Sequence, residues 1–319
     1  MSDNDFEFTC SDTYGMTDPG KRRPSNQDQF LIAEMTKSML VSASSLAEIK
    51  VGRIFGGLQG QILLVADGMG GHQGGEQASR IAAEHLIARL LNSVHWFFQS
   101  DGQQAEQDFI TSLQELFKDA HQRVLIKGRE NRQHQGMGTT LTMAYVSWPN
   151  LYVVHAGDSR CYLIRNGQAN QITTDHTLAH QLVEAGGLKP EEEASSRWSN
   201  VLWNVLGGQT ERKLLAEVHK VALQPDDAIL LCSDGLYRYL DLQELAARVE
   251  AEPDASIVCR SLIEHANDCG GDDNVTVVLC RPTPKQTPID QDAPIETDPE
   301  WTPTCPQIPP LDRLKDVRR

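Results

Sequence analysis

Short apolar runs alternate with polar segments along most of the chain. Runs of about five to eight residues that are rich in Val, Ile and Leu are typical of buried β-strands. The runs lie at residues 61–66, 139–146, 151–156, 160–165, 217–223, 228–233 and 274–280. The sequence therefore predicts a domain with many strands.

Apolar residues that recur every three to four positions predict helices in two pairs. The first pair lies at residues 78–98 and 109–124, and the second at 242–249 and 255–266. Polar loops join the helices, which favours antiparallel packing of the two members. The order of strands, two helices, many strands, two helices and a strand favours an α+β fold built in layers.

The pattern changes after Arg281. Residues 282–319 contain nine prolines among Thr, Asp and Gln, a composition that buries too little apolar surface to offset the entropy of ordering. We therefore predict a folded domain over 1–281 and a disordered or partner-binding tail over 282–319. The Ser-rich and Gly-rich stretch 36–60 is longer than a tight hairpin requires and predicts a loop or an extra hairpin.

Composition excludes several classes of protein. The 319 residues carry a net charge of −15 without a basic stripe, which argues against nucleic acid as the main partner. The chain has no run of 18 apolar residues and no apolar leader, so we expect no membrane span and a cytoplasmic location. Its seven cysteines are scattered without a Cys-x-x-Cys pair and are expected to be reduced.

Acidic residues stand where the strand-like runs begin or end. They are Asp28, Asp67, Asp158, Asp234 and Asp273. If the strands share one core, these carboxylates converge, and two charges 4 Å apart repel by about 4 kcal/mol at an effective dielectric near 20. Oxygen donors without partner His or Cys select Mg²⁺ or Mn²⁺. Taken alone, Asp67-Gly68 would instead indicate a hairpin turn.

Seven motifs that contain these acids occur in a fixed order over roughly residues 10–281. They are Gly20 to Asp28, Asp67-Gly68-Met69-Gly70-Gly71-His72, Gly138-Thr139-Thr140, Ala156-Gly157-Asp158-Ser159-Arg160, Asp175-His176-Thr177, Ser233-Asp234-Gly235 and Asp273-Asn274-Val275-Thr276. The set resembles the metal-dependent (PPM, type 2C) serine/threonine protein phosphatases, in a bacterial form. The resemblance implies an antiparallel β-sandwich flanked on both faces by α-helix pairs, a four-layer α-β-β-α arrangement with the metal site at one end.

The resemblance also implies which residues hold the metals. Asp67 and the Gly68 carbonyl, together with Asp234 and Asp273, would bind two Mg²⁺ or Mn²⁺ ions, and a hydroxide between the ions would attack the phosphorus. Asp158 would bind a third ion. Asp158 also has ordinary alternatives, because it could pair with Arg160 or cap a turn.

Three further residues are expected beside the metal ligands. Arg23 would bind the substrate phosphate, because its planar fork donates to two oxygens, although a surface ion pair is the ordinary alternative. Asp28 would bind water held by a metal ion, or cap the edge of the next strand. His72 would contact the substrate or pack the glycine-rich loop.

Two residues depart from the pattern of the family. Gln27 replaces an acid that many relatives carry, so we expect weaker binding of the second metal ion. Arg238 stands where some relatives have an acid near the third ion, which puts occupancy of that position in doubt.

Residues 177–213 correspond to the flap that lies beside the catalytic site in this family. A short helix is expected at its start, beginning at Asp175 or Thr177. The polar segment after this helix suits a loop that selects substrate proteins. Trp198 and Trp203 would contact a phosphopeptide or anchor the flap.

The function favoured by these features is hydrolysis of phosphoserine and phosphothreonine in proteins, opposing a Ser/Thr kinase. We expect a monomer that binds neither nucleic acid nor membrane. A pseudophosphatase, which binds phosphoproteins without turnover, is the alternative that Gln27 and Arg238 support. A regulatory phosphatase for anti-sigma-factor antagonists is less favoured, because such enzymes usually carry a sensor domain upstream. Other two-metal phosphoesterases rely on His ligands, and the ten histidines form no ligand-spaced set apart from His72.

Overall fold

The predicted strands and helices are present in the computed structural model of the protein, which describes residues 7–43, 45, 52–70, 74–92, 103–208 and 213–285. The strands are β1 (Glu7–Asp18), β2 (Gln29–Val41), β3 (Gly52–Ala66), β4 (Gly68–Met69), β5 (Gly138–Thr139), β6 (Leu141–Ser147), β7 (Asn150–Ala156), β8 (Arg160–Arg165), β9 (Gln168–Gln171), β10 (Leu206–Gly207), β11 (Glu217–Ala222), β12 (Ala228–Cys232) and β13 (Val275–Lys285). The helices are α1 (Gly74–Asn92), α2 (Gln103–Glu130), α3 (Leu178–Glu184), α4 (Asp234–Tyr237), α5 (Leu242–Ala251) and α6 (Ala255–Asp268). His72 and residues 286–319 of the predicted tail lie outside the described residues.

Two five-stranded sheets form most of the β-structure. The first has the strand order β1-β13-β12-β8-β9, the second has the order β11-β7-β6-β3-β2, and a short third sheet has the order β10-β5-β4. The described registers are antiparallel in all three sheets. Because neighbouring strands run in opposite directions, the end of β12 lies beside the start of β13.

The two large sheets enclose one apolar core. Leu63 of β3 packs in the same buried cluster as Leu231 of β12 and Val278 of β13. The neighbouring positions Ile62 and Leu64 belong to a second cluster, which also contains residues of α1 and α2. Since residues 62–66 of β3 are buried on both faces of the sheet, this part of the strand is a continuous apolar run rather than an alternation of apolar and polar residues.

Helix pairs cover the outer faces of both sheets. Helices α1 and α2 pack on the sheet that contains β3, and α5 and α6 pack on the sheet that contains β12. The second pair begins at Asp241 and Asp254, whose carboxylates accept hydrogen bonds from the N–H groups of Glu244 and Ser256. The predicted four-layer α-β-β-α sandwich is confirmed. Among the described helices, none is long and apolar enough to cross a membrane.

Several strands were missed because their sequences are polar. Strand β1 pairs with β13 over a register that extends from Glu7↔Lys285 to Asp18↔Val275, so backbone hydrogen bonds to a neighbour form it without an apolar run. The same reason applies to β9. Residues 36–41 belong to β2 and residues 52–60 to β3, and these two strands are neighbours in one sheet. Of the two alternatives for 36–60, the extra hairpin therefore agrees with these residues and the loop does not.

The chain divides into two compact units. The first comprises residues 1–35 and 58–287 and contains the sandwich core and the predicted site. The second comprises residues 36–57 and 288–319, and its described part is mainly the strand segments of β2 and β3.

Candidate active site

The predicted acids converge at one end of the sandwich. Strands β3, β7 and β12 each end within two residues of an acid, and β13 begins two residues after another. Four of the acids line a cavity of about 360 Å³ together with Arg23 and Gly68; these acids are Asp67, Asp158, Asp234 and Asp273. We name these four residues and Asp28 the carboxylate cluster. The sequence prediction of convergence therefore agrees with the geometry.

Hydrogen bonds to the backbone N–H and carbonyl of Asp67 fix its position, so Asp67 does not lie in a flexible turn. Its N–H donates to Oγ1 of Thr140 at 2.9 Å, and its carbonyl accepts from the Thr140 N–H at 2.9 Å. The Thr139 hydroxyl donates to the same carbonyl at 2.8 Å. The next two residues form β4, which pairs with β5, so the hairpin alternative for Asp67-Gly68 is wrong.

Gly68 is required because β4 and the start of α1 touch there without a side chain between them. A Cβ at Gly68 would lie 2.2 Å from the carbonyl oxygen of Gly75 and 2.8 Å from that of Gln27. A Cβ at Gly75 would lie 2.3 Å from Oε1 of Gln27. The glycines of this motif therefore let α1 begin directly against the turn that carries Asp67.

Asp28 and Asp234 each have a carboxylate oxygen without a hydrogen bond. Oδ2 of Asp28 accepts from the hydroxyls of Ser233 at 2.7 Å and Thr276 at 2.6 Å. These bonds link Asp28 to distant segments of the chain, so its role is not limited to capping the edge of the next strand. Within the described residues, Oδ1 of Asp28 and Oδ1 of Asp234 are buried without a partner. Such atoms are rare in native proteins and indicate a bound ion or water.

Burial among like charges raises the pKa of these carboxyl groups. Burial is the first cause for Asp28, whose pKa rises to about 7, and for Asp158, whose pKa rises to about 8, and the charge of Asp234 adds to both. Burial and the neighbouring carboxylates also raise the pKa of Asp67 well above its ordinary value. The groups cannot all ionise without added positive charge. An oxygen-only donor set of this kind fits Mg²⁺ or Mn²⁺.

Arg23 lies at the mouth of the cavity. Its Nη2 donates to Oδ2 of Asp273 at 2.7 Å, and its side chain is 54% exposed. The segment before it is fixed by the carbonyl of Gly271, which accepts from the N–H groups of Lys21 at 2.8 Å and Arg22 at 3.2 Å. The ion-pair alternative is therefore present in the structure, but its partner is a predicted metal ligand within the cavity.

Arg238 also lines the cavity, and its contacts bear on the expected third ion. Its Nη2 donates to Oδ2 of Asp234 and, at 3.1 Å, to Oδ1 of Asn200 in the flap. Asp158 does not pair with Arg160, because Arg160 binds Asp175 at 2.6 to 3.2 Å. That alternative for Asp158 is therefore wrong. The Arg238 guanidinium therefore occupies one of the two carboxylate oxygens of Asp234, at the position where the third ion is expected.

His176 lies immediately before the flap and also contacts residues inside it. Its role was not predicted from the sequence. Nδ1 of His176 accepts from the Gly157 N–H at 3.1 Å and from Nδ2 of Asn204 at 2.9 Å, and its carbonyl accepts from the Trp203 N–H at 3.1 Å. Trp203 packs edge-on against the His176 ring, whereas Trp198 is partly exposed. Trp203 is therefore an anchor. Thr177 caps α3 through the His180 N–H, as one of the two expected residues.

A second buried group could be mistaken for a metal site. His155, His176 and Glu217, named here the histidine cluster, place ligand atoms within 4.8 Å of one another. Nδ1 of His155 bonds the Thr142 hydroxyl at 2.8 Å, and its Nε2 lies 3.0 Å from the Gly157 carbonyl oxygen. Burial, the first cause, lowers the pKa of His155 to about 4, so the ring is neutral. Hydrogen bonds already occupy both ring nitrogens of His155.

Comparisons with known proteins agree with the geometry. Residues 54–279 match the model of the family described as Protein phosphatase 2C. Serine/threonine phosphatase stp of Listeria innocua is 32% identical over 218 residues, which cover 68% of this chain and 83% of that protein. Protein phosphatase PhpP of Streptococcus pneumoniae is 32% identical over 224 residues, which cover 68% of this chain and 84% of that protein. The chain belongs to the protein phosphatase 2C family.

Solved structures show the same fold. The Streptococcus agalactiae serine/threonine phosphatase superposes with a TM-score of 0.66 at 26% identity and covers 84% of this chain and 98% of its own. The catalytic domain of the phosphatase PstP, in complex with two manganese ions, has a TM-score of 0.63 at 28% identity and covers 85% of this chain and 97% of its own. The family, the phosphatase class and the use of divalent metal predicted from the sequence are confirmed.

Proposed function

We propose that this chain hydrolyses phosphoserine and phosphothreonine in proteins with two Mg²⁺ or Mn²⁺ ions held by the carboxylate cluster. The observation that carries the proposal is the convergence of four acids on one cavity that Arg23 also lines. A second supporting observation is that Oδ1 of Asp234 is buried and has no hydrogen-bond partner in the part of the chain that the structure describes. A buried acid without a partner is unfavourable unless a cation or water completes it.

Each carboxylate has a place in this proposal. Asp67, the Gly68 carbonyl, Asp234 and Asp273 would hold the two cations. The bound cations would lower the pKa of water at the site and stabilise negative charge on the phosphoryl group. Asp28 would orient that water through its open Oδ1 atom, while Ser233 and Thr276 fix its other oxygen.

Arg23 would hold the substrate phosphate. The guanidinium keeps its charge at any working pH and can donate two parallel hydrogen bonds to phosphate oxygens. Its side chain is more exposed than that of Asp273, at 54% against 21%, so it can reach a phosphorylated residue that enters from solvent. The ion pair with Asp273 keeps the side chain near the cavity until substrate binds.

The identity of the partners is also part of the proposal. Phosphorylated proteins would be the substrates, a Ser/Thr kinase would produce them, and a cytoplasmic monomer would act on them. The part of the flap between Thr177 and Leu202, which are joined by a β-bridge, would contact the polypeptide around the phosphorylated residue. A pseudophosphatase remains the second candidate, because the Arg238 guanidinium occupies an oxygen of Asp234.

Turnover of a chromogenic aryl phosphate and of a phosphothreonine peptide tests the function. We expect hydrolysis that requires Mn²⁺ or Mg²⁺ and is abolished by chelator. The rate should fall at least about 100-fold in Asp234→Asn, since losing a metal ligand costs more than losing a residue that only hydrogen-bonds to a ligand. Asp226→Asn is the matched control, because Asp226 is exposed in a turn with φ 68°, which Asn tolerates. Phosphopeptide binding without turnover would favour the pseudophosphatase, and metal-independent turnover would contradict the proposal.

A further inference from the structure

Arg238 lies where the active-site cavity meets the flap. Its Nη2 contacts both Oδ2 of Asp234 and Oδ1 of Asn200. Arg238 and Asn200 also line a second cavity of about 780 Å³, which flap residues such as His180 and Glu193 help to form. These two side chains therefore form a wall shared by the two cavities.

Arg160 is the other guanidinium near Asp158, and its charge is already engaged. It donates to both carboxylate oxygens of Asp175 and stacks 3.6 Å from the centre of the Tyr237 ring. The hydrogen bond that Asp158 accepts from the Tyr237 hydroxyl is long, at 3.5 Å. Asp158 is nevertheless only 5% exposed and Asp234 only 7%. Arg238 is thus the cation placed to balance these two acids.

We propose that the Arg238 guanidinium takes the place of a third metal ion between Asp158 and Asp234, so that the carboxylate cluster binds two divalent cations. The inference rests on the proposed function for the two ions themselves. Arg238 holds Oδ2 of Asp234, whereas Oδ1 is open to one ion. A further cation on Asp158 would lie close to the guanidinium and be repelled by it.

The balance of charge in the carboxylate cluster also favours two divalent cations. Two divalent cations, together with the guanidinium groups of Arg23 and Arg238, already exceed the charge of the five carboxylates in the cluster. The small excess attracts a phosphate dianion. A third divalent cation would have to enter a cavity that is already positive.

The Arg238 guanidinium differs from a bound metal ion in two ways. It is covalently part of the chain, so neither chelator nor metal depletion removes its charge. It also donates to Asn200, so the position of the flap is coupled to the metal ligand Asp234 through one side chain.

Counting bound manganese tests the inference independently of turnover. Electron paramagnetic resonance reports free Mn²⁺ during a titration and thereby gives the number of ions bound per chain. We expect two ions for the wild type and for Asp158→Asn, three for Arg238→Ala, and two again for the double variant R238A/D158N. Arg238→Lys keeps the charge and Asn200→Ala removes only the flap partner, so both matched controls are expected to bind two.

Three ions on the wild type, with one lost in Asp158→Asn, would overturn the inference, and so would two ions on a folded Arg238→Ala protein. Circular dichroism establishes whether that variant folds. If it does not, the wild type and Asp158→Asn decide the question by themselves. Metal-dependent hydrolysis of the aryl phosphate tests the proposed function separately, so a wild type that turns over and binds three ions contradicts the role of Arg238 alone.

Discussion

The carboxylate cluster and the histidine cluster come close together along the chain at one point. His155 belongs to the histidine cluster, and Asp158, shortly after it, belongs to the carboxylate cluster. Both are buried and both consist of side chains that bind metals in many proteins. In the histidine cluster, Glu217 accepts from the Thr174 hydroxyl at 2.9 Å and lies 2.9 Å from Nε2 of His219, and His155 has its own hydrogen-bond partners. In the carboxylate cluster, two buried oxygens lack partners within the described residues.

The difference shows that the type of titratable residue is a weaker indicator of a metal site than the bonds it lacks. Burial of a polar group costs little when hydrogen bonds satisfy it and much when they do not. The histidine cluster is satisfied by the protein itself and fixes the base of the flap. The carboxylate cluster needs a cation, which the protein supplies only in part through Arg23 and Arg238.

The largest expected effect separates the two clusters by activity. Asp67→Asn should lower kcat/KM for the aryl phosphate at least about 1,000-fold, because Asp67 would hold the cations that supply several kcal/mol of transition-state stabilisation. Glu217→Gln keeps the size of its side chain in the histidine cluster and should retain metal-dependent turnover. Equal losses in the two variants, measured under saturating Mn²⁺, would remove the distinction between the clusters.

A smaller effect separates them by stability. His155→Ala should lower the free energy of unfolding by about 2–4 kcal/mol, because it removes the buried hydrogen bonds of the ring to Thr142, Gly157 and Thr174 and leaves a cavity. Urea unfolding measures this loss, and added Mn²⁺ should still stabilise the variant. Tight binding of Zn²⁺ to the wild type that disappears in His155→Ala would instead identify the histidine cluster as a metal site.

The smallest effect is the response of the metal-free protein to pH. Asp158 has a pKa of about 8 in the folded protein against an ordinary value of 3.8. Between these values the folded protein holds a proton that the unfolded chain has released, so stability falls as the pH rises. The opposite sign applies to His155, whose pKa of about 4 lies below the ordinary 6.5, so its contribution is lost as the pH falls from 6.5 towards 4.

Thermal unfolding in chelator tests these signs. Asp158→Asn should be more stable than the wild type at pH 8 by at least about 1 kcal/mol, since one pKa unit corresponds to roughly that free energy. The two proteins should converge below about pH 3, where the Asp158 carboxyl is protonated in both the folded and the unfolded wild type. A wild type that gains stability between pH 5 and 8 faster than Asp158→Asn would contradict the raised pKa.

The sequence was sufficient where the fold follows from local apolar runs. Residues 62–66 of β3 are buried on both faces, so this apolar run and the acid that follows it could be identified from the residues alone. The convergence of Asp67, Asp234 and Asp273 followed from placing each acid at a strand end. Strand β1 could not be predicted in this way, because the hydrogen bonds that form it come from β13, more than 250 residues later in the chain.

The contacts of Arg238 and His176 could not be predicted for a related reason. Each depends on residues brought together by the flap, and Asn200 and Asn204 carry no periodic pattern that indicates their partners. The motif Asp175-His176-Thr177 was recognised, but the hydrogen bond from Gly157 to His176 requires two segments whose spacing only the folded chain defines. The sequence therefore located the chemistry better than the positioning of the flap.

The place of β13 in its sheet has a consequence for synthesis of the protein. This strand is the last one described in the chain, yet it lies between β1 and β12, and the segment around its start carries Asp273 and Thr276. A ribosome-bound chain that lacks it has neither a complete first sheet nor a complete carboxylate cluster. Pairing of such distant segments is slow compared with local folding. Metal loading should therefore follow synthesis of β13.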